Sequence, residues 1–503
     1  MDTVSVLLGG FAEALTPENL LWCLIGVVLG TAVGVLPGLG SAMAIALLVP
    51  LTFKLEPTGA FIMFAGVYFG GQFGGATTAI LLNTPGQSSS MVTAFEGFLM
   101  AKNRRAPQAL AAAVLGSFIG SVIAVTLVVF FSPIMVDAAV SFGPAEFFAL
   151  AVFAFVATSA VVSDNKLRGL AALGIGLAIA LVGIDEQSGA VRFTFGSTQL
   201  LDGISIVVVT VGLLAIGEVL HVASRAARSP ATQRITSGTP WLSRKDWRQS
   251  WFPWLRGTAL GVPFGVIPAG GSEIPTFLSY GLERRLASRR GRSQFGKGAI
   301  EGVAGPEAAN NATVATSLVP LLGLGLPTSA TAAIMLGAFQ QYGMRPGPML
   351  FTEEADLVWA LLASLFLGSV MLLVLNLPFA PIWAKLLQIP RNYLYAGIVV
   401  FATLGAYAAK TSIADVVLLY LVGVLGFLLR RYEFPIAPVL IGVILGPLAE
   451  TELRRAMGIG QGDVGILFRS PIALVLYGLL VLAVLIPLLA RKRSRVRATA
   501  RDG

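Results

Sequence analysis

Apolar residues come in long blocks along this chain, and polar residues interrupt them at only a few places. Runs of about 20 apolar residues, the length that crosses a bilayer as a helix, recur near residues 108–131, 145–163, 167–184, 204–223, 357–377, 393–409, 412–430 and 471–490. Two of the interruptions resemble each other: Gly34-Val-Leu-Pro-Gly-Leu-Gly-Ser41 and Gly265-Val-Ile-Pro-Ala-Gly-Gly-Ser272. A second pair follows in the same order, Ala76-Thr-Thr-Ala-Ile-Leu-Leu82 and Ala330-Thr-Ala-Ala-Ile-Met-Leu336. Glycine breaks a helix by adding backbone freedom, and proline by removing a donor and clashing with the preceding turn. Matching breaks in two halves of a membrane chain point to a binding site built where the broken helices meet.

The pattern predicts an all-α polytopic membrane protein with about 10–13 membrane segments. Two inverted repeats with broken helices or re-entrant hairpins form its core, and scaffold helices surround them. The expected divisions are a first repeat over 20–130, scaffold helices over 145–223 and a basic loop over 224–256. A second repeat over 257–350, C-terminal scaffold helices over 357–490 and a basic tail over 491–503 complete the chain.

Composition sharpens this picture by exclusion. Charged residues are 12% of the 503 and hydrophobic residues 55%, against about 25% charged in a soluble chain. Cys23 is the only cysteine and His221 the only histidine, which excludes an internal disulfide, a thiolate metal cluster and an imidazole proton relay. A membrane-embedded enzyme would need paired acids, a nucleophile system or a metal cluster, and is the least favoured class. A passive channel or a substrate-sensing receptor is the alternative to a transporter, but no filter-like sequence supports a pore. No metal or organic cofactor is expected beyond a sodium ion. Gly291-Arg-Ser-Gln-Phe-Gly-Lys297 spells most of a phosphate-binding loop, but Gly298 stands where its hydroxyl residue belongs and no apolar strand precedes it. ATP hydrolysis is therefore not expected.

The net charge of +9 is a matter of topology rather than of nucleic-acid binding. Basic residues gather at 102–105, 225–256, 284–297 and 491–501, and such clusters mark cytoplasmic loops. No Lys or Arg precedes Lys54, so a cleaved signal peptide is not expected. Around the first break the basic residues follow, at Lys102, Arg104 and Arg105, whereas around the second they precede it. This reversal is the reason for expecting the repeats to be inverted.

The candidate chemistry lies at the breaks. Ser41, Asn83, Thr84, Ser272, Asn310, Asn311 and Thr328 are the candidate substrate contacts, because neutral hydroxyls and amides serve carboxylate oxygens and cations alike. Pro37, Gly38, Gly40, Pro268, Gly270 and Gly271 are expected to shape the breaks. Half-helix N-termini there add partial positive charge. Glu307 and Glu273 are candidate cation-coupling groups, since a carboxylate within a membrane is a functional hypothesis by default. Asn310 and Asn311 also fit helix capping, and Glu307 an interfacial position.

Several stretches resemble one known family. These are Gly34–Ser41, residues 74–86, Phe277-Leu-Ser-Tyr-Gly-Leu-Glu283, the run 295–312 ending Gly305-Pro-Glu-Ala-Ala-Asn-Asn-Ala312, and Gly343-Met-Arg-Pro-Gly-Pro-Met-Leu-Phe351. Together they resemble the large membrane subunit of the tripartite tricarboxylate transporter family. Ala269 and Thr328 depart from that pattern, where glycine is expected, and Gln87-Ser88 replaces a Thr-Pro-like pair. The resemblance implies a small membrane subunit of about four helices and a periplasmic solute-binding protein as partners. It also implies import of a small organic anion across the bacterial inner membrane, driven by a cation gradient, with sodium the expected ion. An elevator-type movement is a further analogy.

The charge asymmetry places the N-terminus outside and the C-terminus inside. Single cysteines at Ser5 and Ser494, in a Cys23→Ser background, test this. An impermeant maleimide should label position 5 in intact cells and leave 494 unlabelled until the cells are opened; the reverse pattern would invert the topology.

Overall fold

The computed structural model describes residues 3–36, 39–52, 54–162, 165–185, 187–224, 241–267, 271–289, 294–386 and 389–482. These residues are almost entirely helical, with one two-stranded hairpin, Gly183–Ile184 paired with Val191–Arg192. Six helices are long and apolar enough to cross a membrane, and five shorter apolar helices accompany them. The break residues Pro37, Gly38, Pro268 and Gly270 lie outside the described residues, as do the basic tail and much of the basic loop.

The helices are α1 (Thr3–Ala14), α2 (Pro17–Val35), α3 (Gly40–Leu48), α4 (Pro57–Leu82), α5 (Met91–Lys102), α6 (Ala106–Val140), α7 (Pro144–Val162) and α8 (Lys166–Ala180). Ile206–Ala223, which carries a π turn over Gly212–Ile216, is α9. Then come α10 (Arg244–Val266), α11 (Glu273–Arg289), α12 (Glu301–Thr316), α13 (Leu318–Leu324) and α14 (Ala330–Gln341). Then follow α15 (Ala355–Asn376), the short α16 (Ala380–Leu386), α17 (Arg391–Lys410), α18 (Ile413–Arg431) and α19 (Ile436–Ile459), with a further apolar helix at Pro471–Leu482.

The chain forms two compact units. The larger takes the described residues within Met1–Asp137, Ser205–Ile267 and Gly271–Leu428, so the predicted core segments share it with α9, α15, α16 and α17. Its centre is two helix pairs in backbone contact. In the first pair, α2 carries glycine at 26, 30 and 34, and a Cβ at these positions would lie 2.3, 2.5 and 2.3 Å from the carbonyl oxygens of Met63, Val67 and Gly71 on α4. In the second, glycines 257, 261 and 265 of α10 stand in the same way against the carbonyls of Gly305, Ala309 and Thr313 on α12, at 2.1, 2.3 and 2.4 Å. Small residues every fourth position let membrane helices approach this closely, since between apolar surfaces packing rather than hydrophobicity drives association.

The two sets correspond one to one. The glycine arms are 231 residues apart (26 and 257, 30 and 261, 34 and 265), and their partners 242 (63 and 305, 67 and 309, 71 and 313). The second offset carries Asn83, which ends α4 with φ 55°, onto Gly325, which ends α13 with φ 64°. Both left-handed residues are followed two positions later by proline, Pro85 and Pro327. Thus α12 and α13 together are the counterpart of α4. They are split because Pro320 has no N–H for the carbonyl of Thr316, whose turn ends there.

This correspondence corrects one sequence match. Ala76–Leu82 closes α4 before its break, whereas Ala330–Leu336 opens α14 after the equivalent break. The letters agree but the places do not. The counterpart of α14 is α5.

The smaller unit takes the described residues within Ala138–Ile204 and Leu429–Gly503. Here α8 and α19 repeat the close approach, a Cβ at Gly176 lying 2.2 Å from the carbonyl of Val439. The hairpin is held by a ring of charges: Arg192 meets Asp185 at 2.6 Å and Glu450 at 3.0 Å, and Arg454 meets the same two at 3.1 and 2.6 Å. The Ser188 hydroxyl, assisted by the Gln187 N–H and both arginines, holds the Asp185 carboxyl down to about 2.

Gly30→Val and Gly261→Val should each force the paired backbones apart, a cost of about 1–3 kcal/mol or more by overpacking. Melting in detergent should fall for both. Gly174→Ala, where a Cβ meets nothing within 4 Å, should melt like the parent; equal behaviour of all three would remove the close contact from the account.

Candidate functional site

Hydroxyls in an apolar interior need partners, and most here find them one turn back in their own helix. Thr31 donates to Val27 O, Thr210 to Ile206 O, Thr258 to Trp254 O and Ser369 to Leu365 O. Such groups satisfy themselves and mark no site. The informative hydroxyls are those that reach another element, and they gather beside the two breaks.

Gly40, at φ 61°, leads into α3, and the next residue, Ser41, is buried with its hydroxyl 3.2 Å from that of Thr331 in the first turn of α14. Ser329 caps α14 by accepting from the Ala332 N–H at 3.2 Å, and Tyr68 of α4 places its hydroxyl 3.0 Å from the same Ser329 oxygen. Across the other half, Ser88 donates to Glu273, the first residue of α11. Gly271, at φ 87°, stands between the two groups: a Cβ there would lie 2.8 Å from Glu273 Oε2 and 3.8 Å from Ser329 Cβ. Gly71 is likewise hemmed in by Ser41 and the Gln87 amide. Each repeat therefore contributes a break, and each break is met by the start of a helix from the other repeat, α3 by α14 and α11 by the segment entering α5.

The starts of α3, α11 and α14 and the segment entering α5 thus meet at hydroxyls and amides with one carboxylate, Glu273. Helix N-termini carry partial positive charge, which suits an anion without an arginine. Gln87 Nε2 and Glu273 Oε2 are buried and have no hydrogen-bond partner among the described residues.

A second polar cluster lies within the helices. Glu307, Asn310 and Asn311 are fully buried, within α12 rather than at a helix end or an interface. Thr93 of α5 donates to one Glu307 oxygen, and Ser117 of α6 donates to the other at 3.3 Å. Asn311 donates to the Ser117 hydroxyl at 2.7 Å and to the Glu307 carbonyl at 3.1 Å. Both polar atoms of the Asn310 side chain are without a partner among the described residues.

Three of the buried carboxylates take an arginine. Asp246 has Arg105 at 2.6 Å, Glu283 has Arg256 at 2.6 Å and Glu452 has Arg455 at 2.8 Å. Glu273 and Glu307 have only hydroxyls. A buried charge without a partner is costly, so such a group calls for a proton or a cation.

The remaining candidates separate from these clusters. Asn83 is exposed and ends α4, and the Thr84 hydroxyl turns back to Leu82 O at 3.3 Å. Ser272 and Thr328 are buried beside the breaks. Thr331, Ser329, Tyr68, Ser88, Thr93 and Ser117 were not among the sequence candidates. Ser88 lies in a visibly polar stretch, but Tyr68 and Ser117 sit inside apolar runs where nothing local distinguishes them.

Paired helix breaks, interlocked starts of helices and arginine-free buried carboxylates define a polytopic membrane transport protein. The chain belongs to the Tripartite tricarboxylate transporter TctA family, whose profile matches residues 20–441. It is 43% identical over 496 residues to an uncharacterized 52.8 kDa protein in the TAR-I ttuC' 3' region of Agrobacterium vitis, covering 98% of both chains. It is also 43% identical over 235 residues to an uncharacterized protein in the TAR-II ttuC' 3' region of the same organism, which covers 47% of this chain and 96% of that one. No solved structure matches.

Asn310→Ala and Asn311→Ala should each lower uptake about tenfold or more, because an amide lost from a buried polar site costs about 1–3 kcal/mol; Glu307→Gln, which removes the one charge of the cluster, should do the same. Immunoblots should show unchanged membrane abundance. Uptake at parental rates with unchanged ion dependence in all three would remove this cluster from the mechanism.

Proposed function

We propose that this chain is the translocating subunit of a tripartite importer that moves a small organic carboxylate across the inner membrane. The observation that carries the reading is the presence of two chemistries in the repeat core: helix starts with neutral donors beside the breaks, and two carboxylates, Glu273 at a break and Glu307 inside α12, lacking a cationic partner among the described residues. The first suits an anionic substrate and the second a coupling cation, for which sodium is the candidate. The substrate contacts are drawn from Ser41, Asn83, Thr84, Ser272, Asn310, Asn311 and Thr328, and the coupling groups are Glu273 and Glu307. Family membership supports a system of this kind, with a small four-helix membrane subunit and a periplasmic solute-binding protein as the partners.

Transport proceeds by alternating access between inverted repeats, in an elevator-type movement of the break-bearing helices against the rest. Capture of solute from dilution falls to the binding protein. The membrane site can then be weak enough to release its cargo inside, since a ligand shifts the protein only by its differential affinity for the two states.

Reconstitution tests the reading. Proteoliposomes holding both membrane subunits, supplied with the binding protein and a panel of radiolabelled citrate, succinate and malate, should accumulate one of these acids under an inward sodium gradient. Omission of any of the three proteins or of the gradient should abolish accumulation, and ATP should not restore it. Uptake by this subunit alone, or uptake indifferent to sodium, would overturn the partner or the coupling half respectively.

A further inference from the structure

One buried carboxylate has no part in the site, and one sequence motif has no part in the function. They meet. Glu96 of α5 is fully buried, and its carboxylate accepts from the backbone N–H groups of Gly296 at 2.6 Å, Gly298 at 2.9 Å and Ala299 at 2.9 Å, and from the Tyr280 hydroxyl at 3.0 Å. Gly296 and Gly298 adopt φ of 81° and 96°. That backbone turns successive N–H groups to one side and makes an anion-binding nest. The run Gly291–Lys297 that spells a phosphate loop thus leads into an anion cradle after all, and the anion is a side chain of this protein. Its nearest carbon contact is as close: a Cβ on Gly302 would lie 2.6 Å from Glu96 Cγ.

The position of Glu96 on α5 gives the contact its meaning. Three successive stretches of the α5 region engage the second repeat: Ser88 donates to Glu273, Thr93 donates to Glu307, and Glu96 enters the 296–299 loop that leads into α12. Asn103, just past the end of α5, adds a hydrogen bond to Lys297 O at 3.0 Å. Among the described residues, the equivalent helix of the other repeat, α14, meets the first repeat through neutral groups alone, Thr331 with Ser41, Ser329 with Tyr68, Tyr342 donating to Thr52 O, and Phe339 stacked on Phe61 at 3.7 Å between ring centroids. The 242-residue offset that relates the repeats puts Ala338 at the counterpart of Glu96, so the ionic anchor exists on one side alone.

We propose that Glu96 is a positioning residue: seated as a tethered anion in the 296–299 nest, it fixes α5 so that Ser88 and Thr93 hold their hydroxyls on Glu273 and Glu307. The nest binds charge and not shape. Glutamine offers an amide of the same size but turns N–H against N–H, whereas aspartate keeps the anion. This rests on the assignment of Glu273 and Glu307 above, but its test involves no transport, so the two stand or fall separately.

The reporter is a cysteine at Val92, a fully buried residue of α5, in the purified full-length chain. Native Cys23, also buried, monitors general loosening and is replaced by serine only in the Val92→Cys preparations. Glu96→Gln should raise the maleimide labelling rate at position 92 by about tenfold or more, the scale of losing charge-assisted hydrogen bonds, while Cys23 stays protected. Glu96→Asp should keep position 92 protected. A Glu96→Gln protein in which position 92 remains protected, or in which Cys23 becomes reactive to the same extent, overturns the proposal. So does a Glu96→Asp protein that labels as fast as Glu96→Gln.

Discussion

Everything in the larger unit depends on two places where backbone lies directly on backbone. Along α2 and α4, and again along α10 and α12, glycine at every fourth position removes the side chains that would otherwise separate two helices. In a lipid solvent that closeness is a main source of cohesion, because apolar side chains gain little by leaving lipid for protein. It also fixes register. Each glycine arm runs straight to its break, so the contact that holds a repeat together determines where its helix stops and where the next one starts.

The polar groups obey a second constraint. Within helices set in lipid, hydroxyls and amides need partners from the protein or from a water-lined cavity. Many threonines and serines answer themselves with a carbonyl one turn back, and the buried acids Asp246, Glu283 and Glu452 take arginines. What is left after this sorting includes the hydroxyls joining α3 to α14 and α5 to α11, the cluster around Glu307, and buried atoms without a partner among the described residues, Gln87 Nε2, Glu273 Oε2 and both polar atoms of Asn310 among them. Gln87 Nε2 and Glu273 Oε2, unanswered beside the breaks, are candidates for a binding role in a chain of this family.

Much of this was legible in the sequence, and the failures are instructive. The glycine-proline motifs at 34–41 and 265–272 announced the duplication, because a helix break has few chemical spellings. The match between 76–82 and 330–336 was misleading, since small and apolar residues recur in any membrane helix and identity of letters carries no register. The true marker, Asn83 against Gly325, is invisible by letter and plain by conformation, both residues being left-handed. Glu307, Asn310 and Asn311 stood out as polar residues in an apolar stretch, and their partners Thr93 and Ser117 did not, because a single hydroxyl in a helix is usually self-satisfied. The 296–299 nest overlaps the phosphate-loop spelling only at Gly296 and Lys297, and the side chain it holds lies some two hundred residues away.

The two offsets, 231 for the glycine arms and 242 for their partners, differ by eleven residues, which fall between arm and partner, where α11 has 17 residues against nine in α3. The segment after the second break is therefore the longer lever. Two identical halves would give a molecule whose opposite end states are related by a two-fold rotation and equal in energy. In the alternating-access reading, unequal levers lift that degeneracy and give the protein a preferred resting side before any ligand arrives. Directionality would then be partly a property of chain length, with the ion gradient acting on a balance that is already tilted.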